Sequence, residues 1–161
     1  MILPFFTIPA DGSLLIRALH YFFCAAGAFV FFLCVIRIFK SYAAGIVFAV
    51  LFFIIFILRL TPDAFQYGFS ALLLLLSFYF YTFCHAKGLK HNQDKHFLII
   101  SVFFYAAASL LNPFFILFPV LIAAYEKFMT GKLCVKKAFI KLLPYAFCCA
   151  AVTALYLLKI R

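Results

Sequence analysis

The sequence has 161 residues, of which 70% are hydrophobic and 11% are charged, with a mean hydropathy of +1.22 and a formal net charge of +10. A soluble globular domain is about half apolar and about a quarter charged, because its surface must interact with water. This composition excludes a soluble monomer and a disordered chain, and with them a nucleic-acid-binding protein. We therefore expect an all-α, polytopic membrane protein that forms one domain over residues 1–161.

Apolar runs predict the helices in chain order, since a spanning helix needs about 20 mostly apolar residues. The region 97–125 is harder to assign than the others, because Asn112-Pro113 lies in its middle. One helix over that region would measure about 43 Å, well over the ~30 Å hydrocarbon core, and a residue before proline avoids the helical conformation. A single tilted and kinked helix there is the alternative. We predict about six membrane segments, over residues 18–36, 42–58, 65–83, 97–111, 114–125 and 138–158.

Lysine and arginine residues are concentrated in the connectors after the first, third and fifth segments. They are Arg37, Lys40, Lys87, Lys90, Lys95, Lys127, Lys132, Lys136 and Lys137, with Lys141 just beyond the last of these connectors. Cytoplasmic loops are enriched in these residues, and a helix pair that turns at Asn112-Pro113 puts all three connectors on the cytoplasmic side. The N-terminus then lies outside, and we expect the chain in a plasma membrane, the inner membrane of a bacterial cell, with membrane lipid around it.

Polar residues near a membrane are candidates for function, because burying them in lipid is costly. The predicted topology gathers several at the outer boundary, namely Asp11, Arg17, His20, Arg59, Asp63, Gln66, Tyr67 and Asn112. Arginines there can bind a phosphate, and a carboxylate can act as a base or bind a metal ion. The alternative is that these residues only mark helix ends, and that Arg59 pairs with Asp63 across the Thr61-Pro62 turn.

A second polar group lies in the cytoplasmic connector and comprises Cys84, His85, His91, Asp94 and His96. Zinc accepts these ligand types, but the spacings match no four-ligand site, and so the sequence predicts no metal site. The lysines between them favour a solvated basic loop that faces anionic lipid headgroups.

The order of these features resembles a known enzyme family. The first helix opens with an arginine, within Leu14–Leu19. The Leu-rich run Ala71–Leu76 follows the segment Leu58-Arg59-Leu60-Thr61-Pro62-Asp63-Ala64. A basic connector follows, and then a helix broken at Asn112-Pro113 and continued as Phe114–Pro119. Over about residues 13–127, this pattern is similar to the middle of the GT-C fold glycosyltransferases, the membrane mannosyl- and arabinosyltransferases that use polyprenyl-phosphate sugars.

The resemblance implies transfer of a sugar from a lipid-linked donor at the outer membrane face, sometimes with a divalent metal, and it assigns no cofactor to this chain. Members often carry a proline–acid pair before the Leu-rich span, which makes Asp63 the catalytic candidate. The substrate-binding candidates are Arg17, Arg59, Gln66, Tyr67 and Asn112. The family's own catalytic acid follows an initial helix, and Asp11 is not equated with it because this sequence has no helix before it.

A second hypothesis is a non-enzymatic scaffold or accessory subunit that binds other membrane proteins in a larger complex. It predicts no enclosed polar cavity and an apolar flank lined by small residues such as Gly27, Gly45 and Ala150. A small transporter is disfavoured, because transporters place ionisable groups near the bilayer midplane and all four acids are expected at or outside the interfaces.

Overall fold

The structure, a computed structural model, describes residues 14–58, 64–84, 91–130 and 135–160. These residues form six α-helices and one 3₁₀ turn, and no strand occurs among them. The helices are α1 (Leu14–Phe39), α2 (Tyr42–Leu58), α3 (Ala64–Phe83), α4 (His91–Leu111), α5 (Phe118–Thr130) and α6 (Val135–Ile160), and the 3₁₀ turn spans Pro113–Leu117. The predicted all-α helical bundle is therefore confirmed.

Three helices of the described ranges are long and apolar enough to cross a membrane. Their apolar windows are Ala18–Phe39 in α1, Asp94–Leu111 in α4 and Ile140–Leu158 in α6. The apolar stretches Tyr42–Ile55 and Tyr67–Phe83 are shorter. Together with a composition that is 70% hydrophobic, these helices make the chain a membrane protein.

The helices pack in a defined order, and two glycines let α1 and α2 approach closely. Helix α3 lies between α1 and α4, α2 packs against α1, and α6 packs against α4 and α5. A Cβ atom on Gly45 would lie 2.9 Å from side-chain atoms of Phe32 and Ile36, and one on Gly27 would lie 3.2 Å from the Phe52 ring. Both glycines thus permit the close approach of α1 and α2, and they lie inside the bundle, not on the outer flank that the scaffold hypothesis assigned to them.

Asn112 and Pro113 end α4 as the sequence predicts. Asn112 has extended backbone angles, with φ −141° and ψ 106°, because the following proline disfavours the helical conformation. Its side-chain Oδ1 accepts a hydrogen bond of 3.1 Å from the Phe114 amide, and Pro113 occupies a first-turn position where no amide hydrogen is needed. The break is therefore built from a side-chain cap and a proline acting together.

After the break, α5 runs back toward the end of the bundle where α4 begins. Phe118, the first residue of α5, stacks on Tyr105 in the middle of α4, with 5.3 Å between ring centroids. Near the far end of α5, Glu126 accepts a hydrogen bond from Tyr81 close to the end of α3. The alternative of one continuous helix over 97–125 is therefore wrong.

The interior is aromatic and carries hydroxyl groups. Its central cluster consists of Tyr81, Tyr105, Phe118, Ile122, Tyr125 and Tyr145. Large apolar side chains lie instead on the outside, as Phe114 and Phe147 do at 78% and 75% exposure. This distribution suits a protein surrounded by hydrocarbon, since the lipid solvates apolar side chains and the polar atoms must find partners inside.

Candidate functional site

The residues predicted at the outer boundary are described only in part. Asp11, Arg59 and Asp63 lie outside the described residues. Arg17 belongs to the first turn of α1 and Gln66 to the first turn of α3, but their side chains are not among those described. The catalytic candidate and one of the phosphate-binding candidates therefore remain predictions.

The starts of α1 and α3 are adjacent. A Cβ atom on Gly68 would lie only 3.2 Å from Nδ1 of His20, which shows how closely the two helices approach. His20 is 4% exposed, and its Nε2 atom lies 3.5 Å from the Sγ atom of Cys24 one turn later. Tyr67 precedes Gly68 and is 39% exposed. The first turn of α1, which holds Arg17, and the first turn of α3 thus form one corner of the bundle.

Asn112 is buried, at 6% exposure, and its side chain is engaged in capping the 3₁₀ turn. Within the described ranges, no hydrogen bond, ion pair or ring contact joins Asn112 to Tyr67. The structure therefore assigns Asn112 a local structural task, and no polar bond connects these two candidates within the described ranges.

A buried polar cluster, formed by Tyr81, Glu126 and Lys141, lies at the opposite end of the bundle. Glu126 is 5% exposed, and its Oε1 atom accepts hydrogen bonds from the Tyr81 hydroxyl and, at 3.1 Å, from Lys141 Nζ. The three residues come from α3, α5 and α6, and so the cluster connects three helices. The sequence did not reveal this cluster, because Glu126 was expected in the connector that follows the fifth segment.

A set of hydroxyl groups extends inward from this cluster. Ser101 Oγ donates to the backbone carbonyl of Ser77. A serine hydroxyl has one proton, and therefore the Tyr145 hydroxyl, 2.6 Å away, donates to Ser101. In the same way, Cys149 donates to the Ile116 carbonyl and accepts from Tyr105. These bonds join α3, α4 and α6 without an ionised group, as is common between membrane helices.

Arg37 and Cys84 complete the surroundings of the cluster. The guanidinium carbon of Arg37 lies 3.7 Å from the centroid of the Phe83 ring, within the range of a cation–π interaction. Cys84 donates a hydrogen bond to the Asp94 carbonyl at 3.6 Å. Burial raises the pKa of the Cys84 thiol to about 11 although Lys141 opposes the shift, and the thiol is therefore protonated and unreactive at neutral pH.

No group of three or more metal-ligating side chains occurs in the part of the chain that the structure describes. Cys84 and Asp94 of the second polar group are neighbours, whereas His96 is exposed, His85 lies outside the described residues and the His91 side chain is not described.

An open apolar groove of about 670 Å³ runs along α6. Its lining residues are Ile116, Pro119, Ala146, Cys149, Ala150, Thr153, Ala154 and Leu157. The polar groups in it are engaged within the chain, since Thr153 Oγ1 donates to the Cys149 carbonyl at 2.8 Å. The groove lies within the apolar window of α6, of which only 11% is buried inside the protein.

These features define a polytopic all-α membrane protein with hydroxyl groups in an aromatic interior and an open apolar groove along α6. No protein-family model, curated protein sequence or solved structure matches the chain.

Proposed function

We propose that the chain is an accessory subunit or scaffold whose α6 groove receives a helix of another membrane protein. The observation that carries this proposal is the floor of the groove, where Ala146, Ala150 and Ala154 follow one another at intervals of four residues. Small residues at this spacing let two helix backbones approach closely in a membrane, where van der Waals contact drives association.

The surrounding residues support a helix as the occupant. Ile116 of the 3₁₀ turn and Pro119 at the start of α5 also line the groove, and Leu157 lines it toward the end of α6. From Ala146 to Leu157 the groove is about 16 Å long, or three helical turns. The groove offers a partner shape and apolar contact, and its Cys149 thiol is hydrogen-bonded to the Ile116 carbonyl.

Replacing Ala150 with leucine is expected to abolish association with the partner, because the larger side chain fills the floor of the groove. Ala151→Leu is the matched control, since it adds the same atoms at the next, exposed position outside the groove. The measurement is the position-specific photo-crosslink from residue 157 in intact membranes, followed for both variants. We expect a protein adduct that Ala150→Leu reduces at least fivefold and Ala151→Leu leaves unchanged. Adducts with lipid alone, or equal loss in both variants, would contradict the proposal.

The second candidate is a GT-C-like glycosyltransferase, or part of one, that uses a polyprenyl-phosphate sugar. The break at Asn112-Pro113, which that resemblance includes, supports it. The helix directions also support it, since Arg17, Gln66, Tyr67 and Asn112 lie toward the same end of the bundle. In this proposal Arg17 and Arg59 bind the donor phosphate, and Asp63 acts as the base.

Under the second proposal, Asp63→Asn is expected to abolish sugar transfer, because an amide cannot accept the proton from the acceptor hydroxyl. Asp94→Asn makes the same chemical change at the opposite end of the bundle and should retain transfer. The assay follows radiolabelled sugar from a polyprenyl-phosphate donor into lipid or protein in membranes that contain the wild type or either variant. Wild-type activity unaffected by Asp63→Asn would exclude this residue as the base.

We further propose that the basic end of the bundle faces the cytoplasm of a bacterial cell whose inner membrane holds the protein. The charge distribution supports this orientation. A cysteine in place of exposed His96 should then resist a membrane-impermeant maleimide in intact cells, whereas one in place of exposed Tyr67 should react, each compared with the wild-type background. The reverse labelling pattern would invert the orientation.

A further inference from the structure

We propose that Lys40 and Lys127 bind the headgroup of an anionic phospholipid whose acyl chains lie on Phe39 and Phe128. This inference is independent of the two functions proposed above. It concerns one corner of the basic end, where the end of α1 meets the end of α5.

The corner is brought together by aromatic contacts. The rings of Phe39 and Phe128 lie 6.5 Å apart between centroids, and Phe48 of α2 stacks on Phe39 at 6.4 Å with an interplanar angle of 11°. Phe39 is 56% exposed and Phe128 is 66% exposed. The rings therefore form an apolar platform on the outside of the bundle, at the level where the apolar window of α1 ends.

Each ring of this pair has a lysine as its neighbour in the chain, Lys40 after Phe39 and Lys127 before Phe128. Both lysines are exposed, and no ion pair to either occurs among the described residues. Of the two acids described at this end, Glu126 is bound by Lys141 and Tyr81, and Asp94 belongs to α4 beside Cys84. Two exposed cations, with no ion pair among the described residues and next in the chain to the rings of an apolar platform, match the charge and the amphipathic character of an anionic lipid.

The backbone of Lys40 is a second, independent observation. Its φ angle is +53°, the only positive value among the non-glycine residues that the structure describes. Its amide donates to the Ile36 carbonyl at 2.8 Å, as in the left-handed cap that ends many helices and usually carries glycine. A lysine at this position is strained, and its charge at the membrane surface supplies a function that glycine could not.

The test compares lipid selectivity of the full chain reconstituted in phosphatidylcholine bilayers. The association of spin-labelled phosphatidylglycerol relative to spin-labelled phosphatidylcholine is measured for the wild type, Lys40→Gln, Lys127→Gln and the double variant. Glutamine keeps a long polar side chain and the backbone penalty of a non-glycine residue while it removes the charge. We expect selectivity to fall about fivefold for each single variant and about thirtyfold for the double variant.

Lys95→Gln is the matched control, because Lys95 is exposed at the same end but belongs to α4, which contributes neither of the two rings. It should leave the selectivity within a factor of two, and circular dichroism should show equal helix content in all variants. Equal losses in Lys95→Gln and the double variant would show a diffuse surface charge and overturn the proposal, as would unchanged selectivity in the double variant. Displacement of the bound lipid by soluble glycerol phosphate at concentrations as low as those of phosphatidylglycerol itself would also overturn it, since the acyl chains would then contribute nothing.

Discussion

Glu126→Leu is expected to lower the free energy of unfolding by about 3 kcal/mol, one of the two largest losses that we predict for this protein. The change removes the carboxylate that accepts from Tyr81, and depriving a buried hydroxyl of its acceptor costs about 1–3 kcal/mol. Breaking a fully buried ion pair costs about 3–5 kcal/mol, but the Lys141 side chain is 31% exposed and can turn toward water, which reduces that part. Reversible unfolding by dodecyl sulfate in mixed micelles measures the loss.

The matched variants separate the charge from the hydrogen bonds. Glu126→Gln keeps an acceptor for Tyr81 and should cost less than Glu126→Leu, and Lys141→Gln should cost about 1 kcal/mol because it removes only the partly exposed partner. The Glu126→Gln/Lys141→Gln double variant should be less destabilised than the sum of the two singles, since the residues interact directly. Strict additivity would show that the Lys141–Glu126 bond contributes nothing in the micelle.

Gly45→Leu is expected to destabilise the protein by about 3 kcal/mol, at the upper end of the usual range for overpacking. Even a Cβ atom at this position would lie 2.9 Å from Phe32 and Ile36, and the additional leucine atoms must force α2 away from α1. The same unfolding measurement reports this loss, and a disulfide trap between cysteines introduced on α1 and α2 reports the separation of the helices.

Ala43→Leu is the control for Gly45→Leu. It lies two residues earlier on α2, is exposed, and gains a side chain of the same kind. It should change the stability by less than about 0.5 kcal/mol, as surface substitutions usually do. If both variants lost the same stability, the cause would be the sequence of α2 itself, and the close approach at Gly45 would not be responsible.

The bundle could be predicted because its determinants are local. Long apolar runs can only form helices in lipid, and Asn112-Pro113 carries both the reason for the helix break and its cap. The turn at that pair was predicted from the charge distribution, because the connectors that hold Lys95 and Lys127 were expected on the same side of the membrane. The structure places α5 accordingly, with Glu126 beside Tyr81.

The buried polar cluster could not be predicted, because it depends on contacts between residues far apart in the chain. Tyr81 and Glu126 come from α3 and α5, and nothing local to Tyr81 shows that it will meet a carboxylate. One signal was present in part: Phe118, Ile122 and Glu126 recur every four residues, which places them on one face of a helix. That spacing extends the helical pattern past Tyr125, where the apolar run ends.

The candidate site predicted at the outer boundary shows that topology alone does not predict contacts between side chains. Polar residues at the ends of helices were grouped because the topology puts them on one side, but a shared side does not give contact. Asn112 illustrates the difference: its position was predicted correctly, yet its side chain is engaged with the Phe114 amide. Whether a polar residue caps its own turn or binds a ligand depends on rotamers, which the sequence does not encode locally.

The return of α5 toward the start of α4, together with its short length, affects how this part of the protein enters the membrane. With 13 residues, α5 measures about 20 Å, too short to enter a bilayer as an independent spanning helix. Its polar end carries Glu126, whose described partners Tyr81 and Lys141 lie on α3 and α6. We therefore expect α5 to be held stably in the membrane only once the start of α6 has been synthesised, so that α5 and α6 enter the bilayer together.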